Sequence, residues 1–234
     1  MDLGPGAERR CESCGGLNPA RAKFCLECGN AFDLTETTGE RRVVSVLFAD
    51  LSGFTAYSEG SDVEDVRAIA QTTASQLGDI VVRYGGFVDK IIGDCVMAVW
   101  GAPVAHEDDP ERAVRAALDM QACVKENQER FASMALCVGI QTGEAMWSQV
   151  GSDGRYTVLG DTVNTAARLQ GAAAKGEVLI GLPTHSSVAG VIECESVEPI
   201  KAKNKAEPVP AWRAVRVAGT RSAHKPVVSS LVGR

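Results

Sequence analysis

Two short repeats near the N-terminus leave the chain little choice in how that end can fold. Cys11-Glu-Ser-Cys14 and Cys25-Leu-Glu-Cys28 are each followed by a glycine, Gly15 and Gly29, and a ten-residue arm joins them. The surrounding segment, residues 8–33, is rich in Cys and Gly and too short to build an apolar core. A CxxC turn places both thiolates on one side, and the glycine permits a left-handed backbone that lets amides approach sulfur. Two such knuckles supply four thiolates for one tetrahedral structural Zn²⁺. The arm is shorter than the common spacing for this pattern but long enough to return as a hairpin. A redox pair of the thioredoxin type would sit at a helix start after a strand, a context this stretch does not offer.

The other four cysteines, Cys95, Cys123, Cys137 and Cys194, are scattered among apolar neighbours, as buried reduced thiols are. The opening MDLGPGAERR has no apolar stretch of a secretory signal, so the expected compartment is reducing and cytoplasmic. Hydrophobic residues are 45% and charged residues 23% of the 234, ordinary for a soluble globular protein of one small module and one larger domain. The apolar runs are strand-length, which excludes a membrane span, and a formal net charge of −6 argues against nucleic-acid binding.

Residues 34–41 (LTETTGER) are polar and read as a linker. Beyond them strands and helices alternate. Residues 43–49 form an apolar, β-branched run, hence a buried strand. Residues 61–84 read as a long helix with Ser61 as N-cap and Gly85-Gly86 as its stop. Residues 87–92 and 96–100 flank Gly93-Asp94 as a hairpin. Asp109-Pro110-Glu111 opens a second helix with Val114, Ala117, Leu118 and Ala122 on one face. Residues 136–141 and 145–150 flank Thr142-Gly143-Glu144 as a further hairpin. A third helix runs from Asp161 to about Ala172, and strands near 177–180, 191–196 and 211–217 finish the domain. The expected class is α+β, a sheet with helices against it.

Asp50 ends the first buried strand and Asp94 sits in the hairpin turn. Alone, either reads as a cap or turn former. Together, two carboxylates at adjacent strand ends can bridge two Mg²⁺ ions, which suits displacement at phosphorus. The turn Ser52-Gly53-Phe54-Thr55 leads into a short helix whose first amides can hold triphosphate oxygens.

Four stretches in this order, VVSVLFADLSGFT (43–55), KIIGD (90–94), VGIQTGE (138–144) and YTVLGDTVNTAARL (156–169), resemble the class III adenylyl/guanylyl cyclase domain. The resemblance covers about residues 42–216 and implies the ferredoxin-like α+β fold of that family. It implies an adenylate cyclase that turns ATP into cyclic AMP and pyrophosphate with two Mg²⁺ (or Mn²⁺) per site, in a head-to-tail homodimer. One chain would supply Asp50, Asp94 and the Leu51 carbonyl to the metals, with Phe54 and Thr55 near the substrate. Its partner would supply Lys90 and Thr157 to the base, Asn164 to the ribose and Arg168 to the transition state. Asn164 and Arg168 are four apart and share a helix face. A late lysine for the terminal phosphates matches Lys203 best, with Lys201 and Lys205 as rivals; Asn204 stands where a glycine is usual. None of His106, His185 or His224 lies in a motif that marks a general base.

Thr157 departs from the pattern, since an aspartate is usual there. A hydroxyl accepts from adenine N6 but can also donate, so the sequence implies some GTP tolerance. The Lys/Thr pairing resembles a bacterial subgroup that includes bicarbonate-responsive cyclases. Residues 217–234 resemble the linker into an ATPase-like domain of a longer protein. Two other functions fit parts of the chain: a non-catalytic nucleotide-sensing or dimerising module, and a zinc-ribbon nucleic-acid binder.

Overall fold

The computed structural model describes residues 8–11, 13–19, 22, 24–29, 39–129, 131, 134–150, 155–200 and 208–218. At the N-terminal end, β1 (Glu8–Arg10) and β2 (Leu17–Pro19) pair antiparallel, Arg10 opposite Leu17. The elements that follow are β3 (Glu40–Ser52), α1 (Phe54–Gly60), α2 (Val63–Arg83), β4 (Phe87–Ile92), β5 (Cys95–Trp100) and α3 (Asp109–Glu126). Then come β6 (Ala135–Val150), β7 (Arg155–Leu159), α4 (Asp161–Ala172), β8 (Val178–Gly181), α5 (Leu182–Val188), β9 (Ile192–Ser196) and β10 (Ala211–Val217). The larger sheet has the order β4-β5-β3-β6-β8-β10-β9, with β7 added to the far end of β6. Its pairs are antiparallel except β6 with β8.

Side-chain alternation builds two cores. Val96, Ala98 and Trp100 of β5 pack with Leu77 and Val81 of α2 and with Val114 and Ala117 of α3. Met97 and Val99 turn to the other face and meet Ala145, Val158 and Ala166. Strand β3 alternates in step, with Leu47, Ala49 and Leu51 in the first core and Val44 and Val46 in the second. A strand buried on both faces has no polar side, which is why residues 43–49 read as one apolar run. By the same period of two, Asp50 continues the Val44–Val46 face, away from α2 and α3. No helix among the described residues is long and apolar enough to cross a membrane.

Three expectations need correction. Thr142-Gly143-Glu144 is not a turn: β6 is one 16-residue strand, and β3 is long enough to pair with it from Ser52↔Ala135 to Glu40↔Trp147. Gly143 serves instead as a small residue under α4, where a Cβ would lie 2.8 Å from Thr162 Oγ1. Ser61 does not cap the long helix; it ends α1, and α2 starts after Asp62. Ala122 lies outside the buried face of α3, which runs through Ala113, Val114, Ala117, Met120 and Val124. Strand β7 and helix α5 gave no sequence signal, being only five and seven residues long.

Candidate active site

The carboxylates come together as the strand ends dictate. Asp94 sits in the two-residue turn between β4 and β5, and its Oδ2 accepts a hydrogen bond from the Leu51 backbone N–H at 3.1 Å. Asp50 is half-buried beside it. Burial, then the Asp94 charge, pushes the Asp50 carboxyl up to about 6. The neighbouring Cys95 thiol is pushed up to about 12 by burial and by the same two carboxylates, so it stays neutral. Two partly desolvated carboxylates that repel each other form a hard oxygen donor set, which fits a divalent cation of the Mg²⁺ or Mn²⁺ type. Phe54 opens α1 half-buried against the first core, while Thr55 is exposed.

Helix α4 carries Asn164 and Arg168, and a glycine lets it lie flat on the sheet. A Cβ on Gly139 would sit 2.0 Å from Gln170 N and 2.4 Å from Ala166 O, so only glycine permits this approach. Thr162 Oγ1 donates to Glu144 O at 2.6 Å and fixes the first turn. Asn164 is exposed. Arg168 is half-buried, and its Nη1 is buried without a hydrogen-bond partner. A buried guanidinium nitrogen with no acceptor is a donor held ready for an anion.

Lys90 on β4 and Thr157 on β7 are brought together by a residue that the sequence reading missed. Asp89 Oδ2 accepts from Thr157 Oγ1 at 2.8 Å and faces Lys90 Nζ at 3.2 Å. Ring contacts tie the distal end of β6 to β4 and β7: Phe87 packs edge-on against Trp147 at 5.3 Å, and Trp147 stacks on Tyr156 at 5.2 Å. The available signal was a lone acidic residue inside the apolar run Phe87-Val88-Asp89. Lys203, with its rivals Lys201 and Lys205, lies outside the described residues; the backbone bridge between Ile200 and Val209 frames that segment. His106 contacts Asp109 at 3.3 Å and His185 stacks on Trp212 at 4.3 Å; His224 is outside the described residues.

Among the described residues, no hydrogen bond or ion pair joins Asp50 or Asp94 to Lys90, Thr157, Asn164 or Arg168. Asp50 with Asp94, Lys90 with Thr157 through Asp89, and Asn164 with Arg168 on α4 thus stand as three groups in one chain.

The four N-terminal cysteines converge. Cys11, Cys14, Cys25 and Cys28 place their sulfurs within 4.8 Å of one another, with Cys11–Cys28 at 3.6 Å and Cys14–Cys25 at 3.5 Å. A tetrahedron with Zn–S bonds of about 2.3 Å has edges of about 3.8 Å, so the set fits zinc. Gly15 and Gly29 have φ of 77° and 72°, the left-handed turns expected after each pair. The Cys28 amide, helped by Glu27 N–H and the Asn18 side chain, overcomes burial and holds Cys25 down to about 6. Cys14 is pushed up to about 12, because its thiol neighbours outweigh the Gly16 amide. Asn18 is a second missed residue. It is buried, donates to Gly16 O at 3.0 Å and Cys25 Sγ at 3.5 Å, and accepts from Leu26 N at 2.7 Å.

Fold and site together define a nucleotide cyclase domain. Residues 37–212 match the family described as the adenylate and guanylate cyclase catalytic domain, and the chain belongs to that family. Adenylate cyclase 1 of Rhizobium meliloti (strain 1021) is 37% identical over 142 residues, which are 56% of this chain and 21% of that protein. The chain thus matches about a fifth of that relative's length. The crystal structure of the adenylyl cyclase CyaB from P. aeruginosa superposes with a TM-score of 0.73 at 30% identity, covering 78% of this chain and 97% of that one. The guanylyl cyclase Cya2 gives a TM-score of 0.72 at 28% identity, covering 79% and 97%.

Proposed function

We propose that this chain is an adenylate cyclase, converting ATP to 3′,5′-cyclic AMP and pyrophosphate at sites shared by two copies. The observation that carries this reading is the Asp50–Asp94 pair, partly desolvated and without a neutralising cation among the described side chains. Two Mg²⁺ or Mn²⁺ ions held by Asp50, Asp94 and the Leu51 carbonyl would supply Lewis-acid activation of the 3′-hydroxyl and neutralise triphosphate charge. In the reaction the 3′-oxygen loses its proton and bonds to the α-phosphorus, and the bond to the departing pyrophosphate breaks.

Arg168 offers its unpartnered Nη1 to charge developing on the α-phosphoryl oxygens, where a preorganised cation is worth several kcal/mol. Asn164, on the same face of α4, holds the ribose, and Phe54 and Thr55 lie beside the nucleotide. Lys90 donates to adenine N1, and Thr157 accepts from N6. Lys203 is assigned to the terminal phosphates.

A head-to-tail homodimer would bring Asp50 and Asp94 of one copy against Lys90, Thr157, Asn164 and Arg168 of the other, with which they share no hydrogen bond or ion pair among the described residues of one chain. Ile91, Ile92, Tyr156 and Leu159, on the strands that carry Lys90 and Thr157, leave apolar surface exposed for such a partner. The catalytic domain is assigned to residues 42–216 and a zinc ribbon to 8–33; the linker expected at 34–41 is shorter at its end, because Glu40 and Arg41 already belong to β3 and pair with Trp147 and Met146. The ribbon holds one structural Zn²⁺ and acts as a scaffold or docking module.

The test is direct. The purified chain, given ATP with Mg²⁺ or Mn²⁺, produces cyclic AMP. Asp50→Ala and Asp94→Ala each lose it while remaining folded by circular dichroism. More than about a tenth of wild-type activity in either variant contradicts the assignment of the carboxylates.

A further inference from the structure

We propose that Asp89 is a positioning residue that fixes Thr157 as a hydrogen-bond acceptor, so that the site selects adenine over guanine. The inference rests on the reading of Lys90 and Thr157 as the groups facing the base.

Asp89 is the extra residue of a β-bulge. Val88 pairs with Ala98 and Lys90 with Met97, and nothing on β5 is opposite Asp89. Bulges re-aim a side chain, and they gather next to active sites. Here the bulge puts the Asp89 side chain inside the protein, 0% exposed. Its Oδ2 takes both Thr157 Oγ1 and Lys90 Nζ, while its Oδ1 is buried with no partner. An unpartnered buried oxygen destabilises a fold. An apolar β-branched side chain would suit this strand better, so stability does not account for the aspartate. What it does account for is the direction of one proton.

A carboxylate only accepts hydrogen bonds, and a threonine hydroxyl has one proton to give. With that proton committed to Asp89, Thr157 Oγ1 has only lone pairs to present. Adenine places an N–H donor at the 6-position, which Oγ1 can accept. Guanine places a carbonyl oxygen there, and two acceptors then face each other. Lys90, held by the same carboxylate oxygen, keeps two further N–H donors. These suit adenine N1, an acceptor, and oppose guanine N1–H. A freely rotating threonine hydroxyl would serve either base; the Asp89 contact removes that freedom. The GTP tolerance that the sequence implied for Thr157 is thereby reduced.

The experiment measures kcat/KM for ATP and GTP, and dissociation constants for 3′-deoxy-ATP and 3′-deoxy-GTP, which cannot cyclise. The variants are Asp89→Ala, Asp89→Leu and Asp89→Asn. Removing the carboxylate in the first two lowers the ATP-over-GTP ratio by about ten- to hundredfold, in rate and in binding, the cost of one mismatched buried acceptor. Asp89→Asn, whose carbonyl still accepts from Thr157, retains most of the ratio. In a Thr157→Val background, Asp89→Ala leaves the ratio within about twofold, because the two residues act as one unit. Equal losses for both nucleotides, with the ratio unchanged, would mean that Asp89 only supports the fold and would overturn the proposal.

Should neither apolar variant fold, Thr157→Val alone decides. It lowers ATP use and does not lower GTP use if Thr157 is an acceptor. It lowers both if the hydroxyl also donates, which refutes the claim. A wild-type chain that binds neither analogue and forms no cyclic nucleotide refutes the cyclase reading itself, whereas active wild type with an unmoved ratio refutes only the role of Asp89.

Discussion

Gly139→Ala adds one methyl group at the tightest contact between sheet and helix. Gly139 lies opposite Phe48 in the ladder and directly under α4. Its new Cβ would stand 2.0 Å from Gln170 N and 2.4 Å from Ala166 O, whereas ordinary contact begins at 3.4 Å. Both atoms are helix backbone and cannot rotate aside, so α4 must lift by more than about an ångström. Overpacking of this kind costs about 1–3 kcal/mol, which lowers Tm by roughly 2–12 °C in a domain of this size. The effect on turnover is larger than on stability. Asn164 and Arg168 ride on α4, and a misplacement of about an ångström in a catalytic group costs about a hundredfold in rate. The carboxylates of Asp50 and Asp94 sit on β3 and the β4–β5 turn, which the methyl does not touch. Calorimetry and a cyclic AMP assay with Mn²⁺ check both numbers. A variant with unchanged Tm and wild-type kcat would show that α4 does not bear on β6 as described and that its height does not set the position of Arg168.

Two further outcomes follow from the charges and thiols. Asp50, raised from 3.8 to about 6, binds its proton more tightly when folded, so the metal-free protein loses stability as pH rises from about 4 to 6. Asp50→Asn removes that penalty: without metal it melts higher than wild type at pH 7, by on the order of 1 kcal/mol after solvent screening, and equally at pH 4. A variant no more stable at pH 7 would mean that neither burial nor the Asp94 charge opposes ionisation of Asp50. At the zinc site, Asn18→Ala removes the amide that orients Cys25 and lowers Zn²⁺ affinity by about ten- to hundredfold, read by competition with a chromophoric chelator. Unchanged affinity would show that Asn18 only closes the β2 turn.

The parts of this molecule that were legible in the sequence are those where local chemistry admits one solution. The apolar run before Asp50, the Gly93-Asp94 hairpin and the paired CxxC-Gly knuckles each announce their backbone. So does α4, whose start at Asp161 and end at Ala172 agree with expectation. What escaped was set by distant partners. Thr142-Gly143-Glu144 has the composition of a turn, yet β3 supplies backbone partners across it and keeps β6 straight. Gly143 and Gly139 are there for the backbone and side chains of α4, which no local pattern encodes. Asp89 offers no local signal beyond an acidic residue beside a lysine. Only the bulge, and the return of β7 from a position 68 residues later, show that it holds Thr157. Thr157 itself was judged by its own hydroxyl, and its hydrogen-bonding role depends on the carboxylate behind it.

The most direct test of the shared-site account mixes two dead chains. Asp50→Ala lacks a metal ligand but keeps Arg168, and Arg168→Ala has the reverse defect, so each homodimer is inactive. In the heterodimer one site combines the intact Asp50–Asp94 pair of one copy with the intact Arg168 of the other, and the second site carries both defects. Random mixing gives half of the dimers one good site, so about a quarter of wild-type activity per chain returns. No recovery, in a mixture where heterodimers are shown to form by differently tagged copies, would contradict a site built from two chains.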